Sequence, residues 1–195
     1  MNNNLTEIIF LLDRSGSMAG LESETISGFN TFIEKQSRLK GKTIVTAVLF
    51  DNMYEILLNG VLANDCKISN KDYYVRGSTA LLDAIGKTII DVGKRLSKTK
   101  ESDRPGKIIF VITTDGMENA SKEYTYDKVK NLISHQNQKY GWEFVFLGAN
   151  IEASKEAENI GINKHKAYNY EATEEGTKRM YYFVNEVVSE IRTDK

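Results

Sequence analysis

The sequence contains few of the residues that stabilise secreted or zinc-binding proteins. Its 195 residues include one cysteine, one proline and two histidines. The lone Cys66 cannot close an internal disulfide, so nothing indicates an oxidising compartment, and we expect a buried, inert thiol. His135 and His165 do not pair at the spacing of metal ligands. We therefore expect both imidazoles in solvent and no site of the Cys/His type.

Long apolar runs and an excess of one charge are also missing. No apolar stretch approaches the ~20 residues of a membrane helix, and residues 1–4 lack the basic charge that opens a signal peptide. The formal net charge is −1, which gives no general attraction to nucleic acid or to an anionic membrane. We therefore expect a cytoplasmic protein without either partner. A length of 195 residues fits a single domain, residues 1–195, that buries roughly 70% of its unfolded surface.

Hydrophobic patterns predict alternating strands and helices along the chain. Continuous apolar runs predict buried strands over residues 7–12, 43–50, 107–113 and 142–147, and a short last strand is predicted over residues 166–170. Apolar residues at helical spacing predict helices over residues 20–38, 80–97, 126–138, 152–160 and 173–192. Residues 60–78 are rich in turn-forming side chains and are expected to be irregular.

One connection is too short for a helix. The turn dipeptide Asp51-Asn52 separates the strand at residues 43–50 from another predicted over residues 54–58, so these two must pair as an antiparallel hairpin. The other strands are joined through helices, which is typical of parallel sheets. The predicted fold class is α/β, a doubly wound, Rossmann-like open sheet. It is mostly parallel, with one antiparallel edge strand and helices on both faces.

This pattern places five oxygen-bearing side chains near one edge of the sheet. Asp13 ends the first strand and Asp115 ends the fourth, and ligands of such sheets bind beyond the carboxyl ends of the strands. Ser15 and Ser17 lie on the turn after Asp13. Thr79 opens the helix that leads into the fourth strand. If the two strands are neighbours, all five side chains surround one crevice.

The chemistry of this set favours a hard divalent cation. It contains no thiolate and no imidazole, and carboxylate and hydroxyl oxygens suit Mg²⁺, Mn²⁺ or Ca²⁺ rather than Zn²⁺. Mg²⁺ is the favoured ion. Two carboxylates at most balance its charge, so an open coordination position would attract a carboxylate from outside. The set therefore favours metal-mediated capture of an acidic partner.

The five residues lie in three short motifs, which are Asp13-x-Ser15-x-Ser17, Gly77-Ser78-Thr79 and Thr114-Asp115-Gly116. With their places on the predicted elements, these motifs resemble the von Willebrand factor type A (vWA) domain. In that family these positions form the metal-ion-dependent adhesion site (MIDAS), and all five match here. The predicted order of strands and helices is similar over nearly the whole chain.

The resemblance implies a role for each residue. Ser15, Ser17 and Thr79 would contact the metal directly when a ligand is bound, whereas Asp13 and Asp115 would act mostly through water. It also implies a protein-binding module without catalysis, which coordinates an Asp or Glu carboxylate of a partner protein. Without a signal peptide or a disulfide pair, the chain is similar to stand-alone intracellular bacterial and phage members rather than to adhesion receptors.

Two other functions stay open on the sequence. A Mg²⁺-dependent hydrolase or phosphotransferase also uses an Asp at a strand end beside a metal. However, the haloacid-dehalogenase-like phosphatases carry a second carboxylate where this chain has Ser15, and no Gly-x-x-x-x-Gly-Lys loop is present. The third hypothesis is a scaffold protein with a vestigial metal site.

Several neighbours of the five residues have two interpretations. Glu118 and Asn119 are candidates either for the rim of the metal site or for helix caps. Asn150 is a candidate either for the crevice or for a helix start. Four further residues are candidates either for an apolar collar that contacts a partner or for core packing, which are Met18, Tyr73, Tyr74 and Met117.

Overall fold

The computed structural model describes residues 1–193, in which a six-stranded sheet is packed between helices. The strands are β1 (Asn2–Asp13), β2 (Lys42–Phe50), β3 (Tyr54–Leu62), β4 (Pro105–Thr114), β5 (Glu143–Gly148) and β6 (Ala167–Asn169). The helices are α1 (Glu22–Ser37), α2 (Leu81–Lys98), α3 (Tyr126–Tyr140), α4 (Ala153–Asn159) and α5 (Glu174–Thr193). None of them is long and apolar enough to cross a membrane.

The strand order is β3-β2-β1-β4-β5-β6. β3 pairs antiparallel with β2, and the other neighbouring strands pair in parallel. From β1 the chain first builds one side of the sheet, β2 and β3, and then the other, β4 to β6. The order therefore reverses between β1 and β4, which is where an open α/β sheet binds its ligands. The predicted fold class is confirmed.

The central strand β1 divides the core into two layers. Its residues Ile8 to Leu12 are fully buried, and successive side chains point to opposite faces of the sheet. Ile9 and Leu11 pack with α2, α3 and α4, whereas Phe10 packs with α1 and α5. The apolar run that ends at Asp13 is thus covered on both faces, and only its carboxyl end is free to form a site.

Most elements lie close to their predicted bounds, but three strands are longer. β1 begins at Asn2 rather than at residue 7, because Asn2 pairs with Pro105 and donates its backbone N–H to the Arg104 carbonyl at 2.8 Å. Pro105 precedes the strand predicted over residues 107–113, yet it is the first residue of β4, a position where a missing N–H is tolerated. β3 continues to Leu62 because that residue pairs with Ile44.

Candidate metal centre

The turn after β1 wraps around the carboxylate of Asp13, which is 1% exposed. Asp13 Oδ1 accepts the backbone N–H of Ser15 at 2.8 Å, and Oδ2 accepts the hydroxyl of Thr114 at 2.7 Å. The carboxylate that ends β1 is thereby bonded to the end of β4. Sequence reasoning missed Thr114 as a site residue. Its signal was a hydroxyl side chain at a buried strand end, directly before Asp115.

Ser17 connects this turn to Asp115. The Ser17 hydroxyl donates to Asp115 Oδ1 at 2.6 Å, and Ser15 Oγ lies 3.2 Å from Ser17 Oγ. Asp115 is 1% exposed, and its second oxygen, Oδ2, is buried without a hydrogen-bond partner among residues 1–193. Leaving a buried carboxylate oxygen unpaired is costly. This oxygen is therefore available to a donor or a cation from outside residues 1–193.

Thr79 reaches the same point from the segment before α2. A methyl group built on Gly116 would lie 3.7 Å from Ser17 Oγ and 3.8 Å from Thr79 Oγ1, so both hydroxyls lie over Gly116, beside Asp115. The structure thus brings together all five side chains singled out by the sequence, which are Asp13, Ser15, Ser17, Thr79 and Asp115.

A close backbone contact joins the turn that carries the serines to the segment that carries Thr79. The N–H of Gly16 donates to the carbonyl of Gly77 at 3.1 Å. Gly77 has a φ of +69°, and a Cβ added there would lie 2.1 Å from Asn52 Oδ1. The left-handed backbone conformation favours glycine at this position.

Glu118 caps α2, and Asn119 bonds the backbone just before that helix, so neither side chain lies at the rim of the metal site. Glu118 Oε2 accepts the N–H of Leu82 at 2.9 Å, and Asn119 Oδ1 accepts the N–H of Thr79 at 2.9 Å. Both bonds join the loop after Asp115 to the start of α2.

Asn150 does reach the crevice. It has a φ of +55°, in the left-handed region, and its Nδ2 donates to the backbone carbonyl of Asp115 at 3.2 Å. Asn150 does not cap a helix, because the N-cap of α4 is Glu152, whose side chain makes no capping hydrogen bond. Asn150 therefore helps to hold the end of β4 from the neighbouring strand.

Two of the four collar candidates are packed in the core, which was the alternative. Met18 and Tyr73 are buried, and the Tyr73 hydroxyl donates to the backbone carbonyl of Asp13 at 2.6 Å. Tyr73 therefore supports the backbone of the metal turn from within the core. Tyr74 and Met117 are exposed, by 47% and 70%, and Met53 in the β2–β3 turn, which the sequence did not single out, is 58% exposed.

A cluster of guanidinium groups lies next to the metal turn. Arg14 is fully buried, and it donates to Asp51 Oδ2 at 2.9 Å and to Glu55 Oε2 at 2.8 Å. Arg76 donates to the same Asp51 oxygen at 2.7 Å, and both guanidiniums face the ring of Tyr74. The positive charges of this cluster are therefore already paired with Asp51 and Glu55.

Asp13 and Asp115 form no ion pair with any side chain of residues 1–193. Burial raises the pKa of Asp13 to about 6 and the charge of Asp115 adds to the rise, although hydrogen bonds from Thr114 and Ser15 act in the opposite direction. Burial also raises the pKa of Asp115, against the hydrogen bond from Ser17. Two neighbouring acids that resist ionisation would be stabilised as carboxylates by a cation between them.

The donor set fits a hard divalent cation. Two carboxylates and three hydroxyls converge, and one carboxylate oxygen has no partner. Within residues 1–193, no three or more His, Cys, Asp or Glu side chains are placed so that they could hold a metal ion without the hydroxyls. A cation bound here would therefore depend on hydroxyls as well as carboxylates. Such oxygen donors suit Mg²⁺, Mn²⁺ or Ca²⁺.

Residues far from this site behave as inert parts of the fold. Cys66 is buried, and burial raises the pKa of its thiol to about 11. Trp142 is buried in the core against Phe110. His135 and His165 are both exposed.

Solved structures identify the fold. Proximal thread matrix protein 1 from the mussel byssus, solved with a zinc-occupied MIDAS motif, matches with a TM-score of 0.62 and 16% identity over 94% of this chain and 45% of its own. The ArnB paralog VWA2 from Sulfolobus acidocaldarius matches with a TM-score of 0.57 and 15% identity over 95% of this chain and 45% of its own. The chain has the vWA fold. Manganese-loaded TRAP protein from Plasmodium vivax matches with a TM-score of 0.59 and 15% identity over 92% of this chain and 73% of its own.

Identities of 15% and 16% show the fold alone, and this chain spans a little under half of the mussel and archaeal chains. No protein-family model matches the sequence, and a search of curated proteins finds no match. What the site binds must therefore be inferred from its own geometry.

Proposed function

We propose that this chain is a metal-dependent protein-binding module of the vWA type. Asp13, Ser15, Ser17, Thr79 and Asp115 would hold the cation, with Mg²⁺ favoured and Mn²⁺ or Ca²⁺ as alternatives. The observation that carries the proposal is the pair of buried carboxylates that no cationic side chain of residues 1–193 neutralises. When bound, the cation supplies a Lewis-acidic position for an oxygen ligand from outside.

The partner would be a protein that presents an Asp or Glu carboxylate. The two carboxylates of the site at most balance a divalent charge, so a third, external carboxylate meets little opposing negative charge there. Exposed Met53, Tyr74 and Met117 lie in loops at the same edge of the sheet and would contact apolar side chains beside the captured carboxylate. The zinc and manganese ions in the mussel and Plasmodium structures support a divalent cation at this site, without favouring Mg²⁺.

Binding is favoured over catalysis by the state of Asp13. A phosphatase of the haloacid-dehalogenase type would use this carboxylate as its nucleophile, yet both of its oxygens already accept hydrogen bonds from Ser15 and Thr114. The position two residues later carries the Ser15 hydroxyl instead of a second carboxylate. A vestigial site is disfavoured because all five oxygen donors converge. The cytoplasmic location stays a prediction.

Mn²⁺ offers a direct test of carboxylate capture, because water bound to protein-held Mn²⁺ relaxes faster than water around the free ion. The protein would be loaded with Mn²⁺ and titrated with a short peptide that contains one Glu between apolar residues, and with the same peptide carrying Gln. Asp13→Ala removes a site carboxylate. Asp103→Ala is the matched control, because Asp103 lies before β4, at the opposite edge of the sheet.

We expect the Glu peptide to displace Mn²⁺-bound water and lower the relaxation enhancement in the wild type and in Asp103→Ala. The Gln peptide should leave the enhancement unchanged, and Asp13→Ala should show no enhancement to begin with. Equal responses to the two peptides would contradict carboxylate capture. Equal Mn²⁺ binding by wild type and Asp13→Ala would contradict the metal site itself.

A further inference from the structure

Asn119 holds the backbone of Thr79 from outside the helix that Thr79 precedes. Its side-chain Oδ1 accepts the Thr79 N–H at 2.9 Å, and its own N–H donates to the Thr79 carbonyl at 3.0 Å. The N–H of Ala120 donates to the same carbonyl at 3.2 Å. Both backbone polar groups of Thr79 are thus bonded to the loop that follows Asp115.

These bonds belong to a larger clip, defined here as residues 118–124 bonded to residues 79–83. The carboxylate of Glu118 accepts the N–H of Leu82 at 2.9 Å, and Ser121 Oγ accepts the N–H of Asp83 at 3.0 Å. In return, the Asp83 carboxylate accepts the backbone N–H groups of residues 122, 123 and 124 at 2.8 to 3.0 Å. Helix α2, whose N-cap Ala80 has no capping side chain, is therefore capped by this loop.

The clip joins the two segments that bring Thr79 and Asp115 to the metal site. Thr79 lies near the end of residues 66–80, a segment without helix or strand. The position of its hydroxyl therefore depends on the contacts that hold its backbone. Asp115 is fixed directly by the end of β4. Asn119 follows Asp115 by only four residues along the chain. Its bonds to Thr79 therefore fix the position of Thr79 relative to the end of β4.

We propose that Asn119 is a positioning residue for the metal. Asn119 would set the distance between the Thr79 hydroxyl and the Asp115 carboxylate. A small ion with octahedral coordination requires this distance to be fixed. This inference rests on the proposed function, since it assigns a role toward the same cation. Mg²⁺ demands near-ideal octahedral geometry, whereas Ca²⁺ accepts variable geometry. A loosened Thr79 should therefore weaken Mg²⁺ binding more than Ca²⁺ binding.

The variant that tests this is Asn119→Ala, because Asn119 is exposed and its truncation leaves no cavity. The matched control is Asn163→Ala. Asn163 is also an exposed asparagine whose Oδ1 accepts a backbone N–H, that of His165 at 3.0 Å, but it precedes β6 at the opposite edge of the sheet. Mg²⁺ and Ca²⁺ dissociation constants would be measured by calorimetric titration of each metal alone, and the metal-free melting temperature would confirm folding.

We expect Asn119→Ala to weaken Mg²⁺ binding roughly tenfold, the low end of what outer-shell partners of metal ligands contribute, and Ca²⁺ binding only about twofold. Asn163→Ala should change neither constant. Unchanged constants in Asn119→Ala, or equal losses for both ions, would overturn the inference while leaving the proposed function intact. A wild type that binds neither ion would overturn the proposed function and this inference with it.

Discussion

Within residues 1–193, four carboxylates are buried to 1% exposure or less, and they form two contrasting pairs. Glu7 is paired with Arg95, and Asp51 is paired with Arg14 and Arg76. Asp13 and Asp115, at the carboxyl ends of the central strands, have only hydroxyl and amide donors among residues 1–193. A buried carboxylate keeps its charge when an opposite charge compensates its lost hydration. The first pair carries its countercharge within the chain, and the second pair requires one from outside.

Removing an internally paired carboxylate should cause the largest loss of stability. Asp51→Ala leaves the fully buried Arg14 without its main partner, which should reduce the free energy of unfolding by about 3 to 5 kcal/mol. The metal-induced rise in melting temperature should persist, because Asp51 is not a proposed ligand. Denaturant unfolding with and without Mg²⁺ measures both quantities. If Asp51→Ala had normal stability and its melting temperature no longer rose with Mg²⁺, Asp51 would serve metal binding rather than stability, which would contradict this account.

The second pair should make the metal-free protein sensitive to pH. The pKa of Asp13 rises from 3.8 to about 6 on folding, so the folded state favours the protonated acid. Its stabilising contribution is present below about pH 4 and is lost as the pH rises through about 6, a change of about 3 kcal/mol. Bound metal competes with this proton, so the rise in melting temperature on adding Mg²⁺ should be greater at about pH 7.5 than at about pH 5.

Asp13→Asn is the control for this pH dependence, because the amide does not titrate in this range. Its metal-free melting temperature should vary less between about pH 4 and about pH 7 than that of the wild type. A pH profile identical to that of the wild type would show that other groups cause the change.

Asp115→Asn should have the opposite effects to Asp51→Ala, with stability kept or raised and metal binding lost. Neutralising a buried carboxylate that has one unpaired oxygen should stabilise the metal-free protein by about 1 kcal/mol. The same change should abolish the response to Mg²⁺. Thermal melting with and without the ion measures both effects. A metal-free protein less stable than the wild type would show that the Asp115 carboxylate is satisfied by the fold alone.

The five proposed ligands could be predicted because each lies in a local pattern. Asp13 and Asp115 each end a buried apolar run, and Ser15, Ser17 and Thr79 stand at fixed short distances from a strand end or a helix start. The carboxyl ends of parallel strands lie at one edge of the sheet, so the local patterns were sufficient to predict that these side chains lie close together.

The surroundings of the site could not be predicted in this way. Arg14 reaches Asp51 across 37 residues and Asn119 reaches Thr79 across 40, through loops whose conformation no periodicity describes. Tyr73 shows the same difficulty. It lies in an irregular, polar segment that indicates exposure, yet it is buried because its hydroxyl has the Asp13 carbonyl as a partner. Burial of polar groups depends on such distant partners.

Thermal melting at about pH 7.5, with a chelator and then with increasing Mg²⁺, tests most directly whether Asp13 and Asp115 depend on an external cation. An ion at a hundredfold excess over its dissociation constant stabilises by about 2.7 kcal/mol, which raises the melting temperature of a chain of this size by roughly 5 to 11 °C. We predict that rise for the wild type and none for Asp13→Ala. No rise in the wild type, or an equal rise in Asp13→Ala, would contradict a cation at this turn.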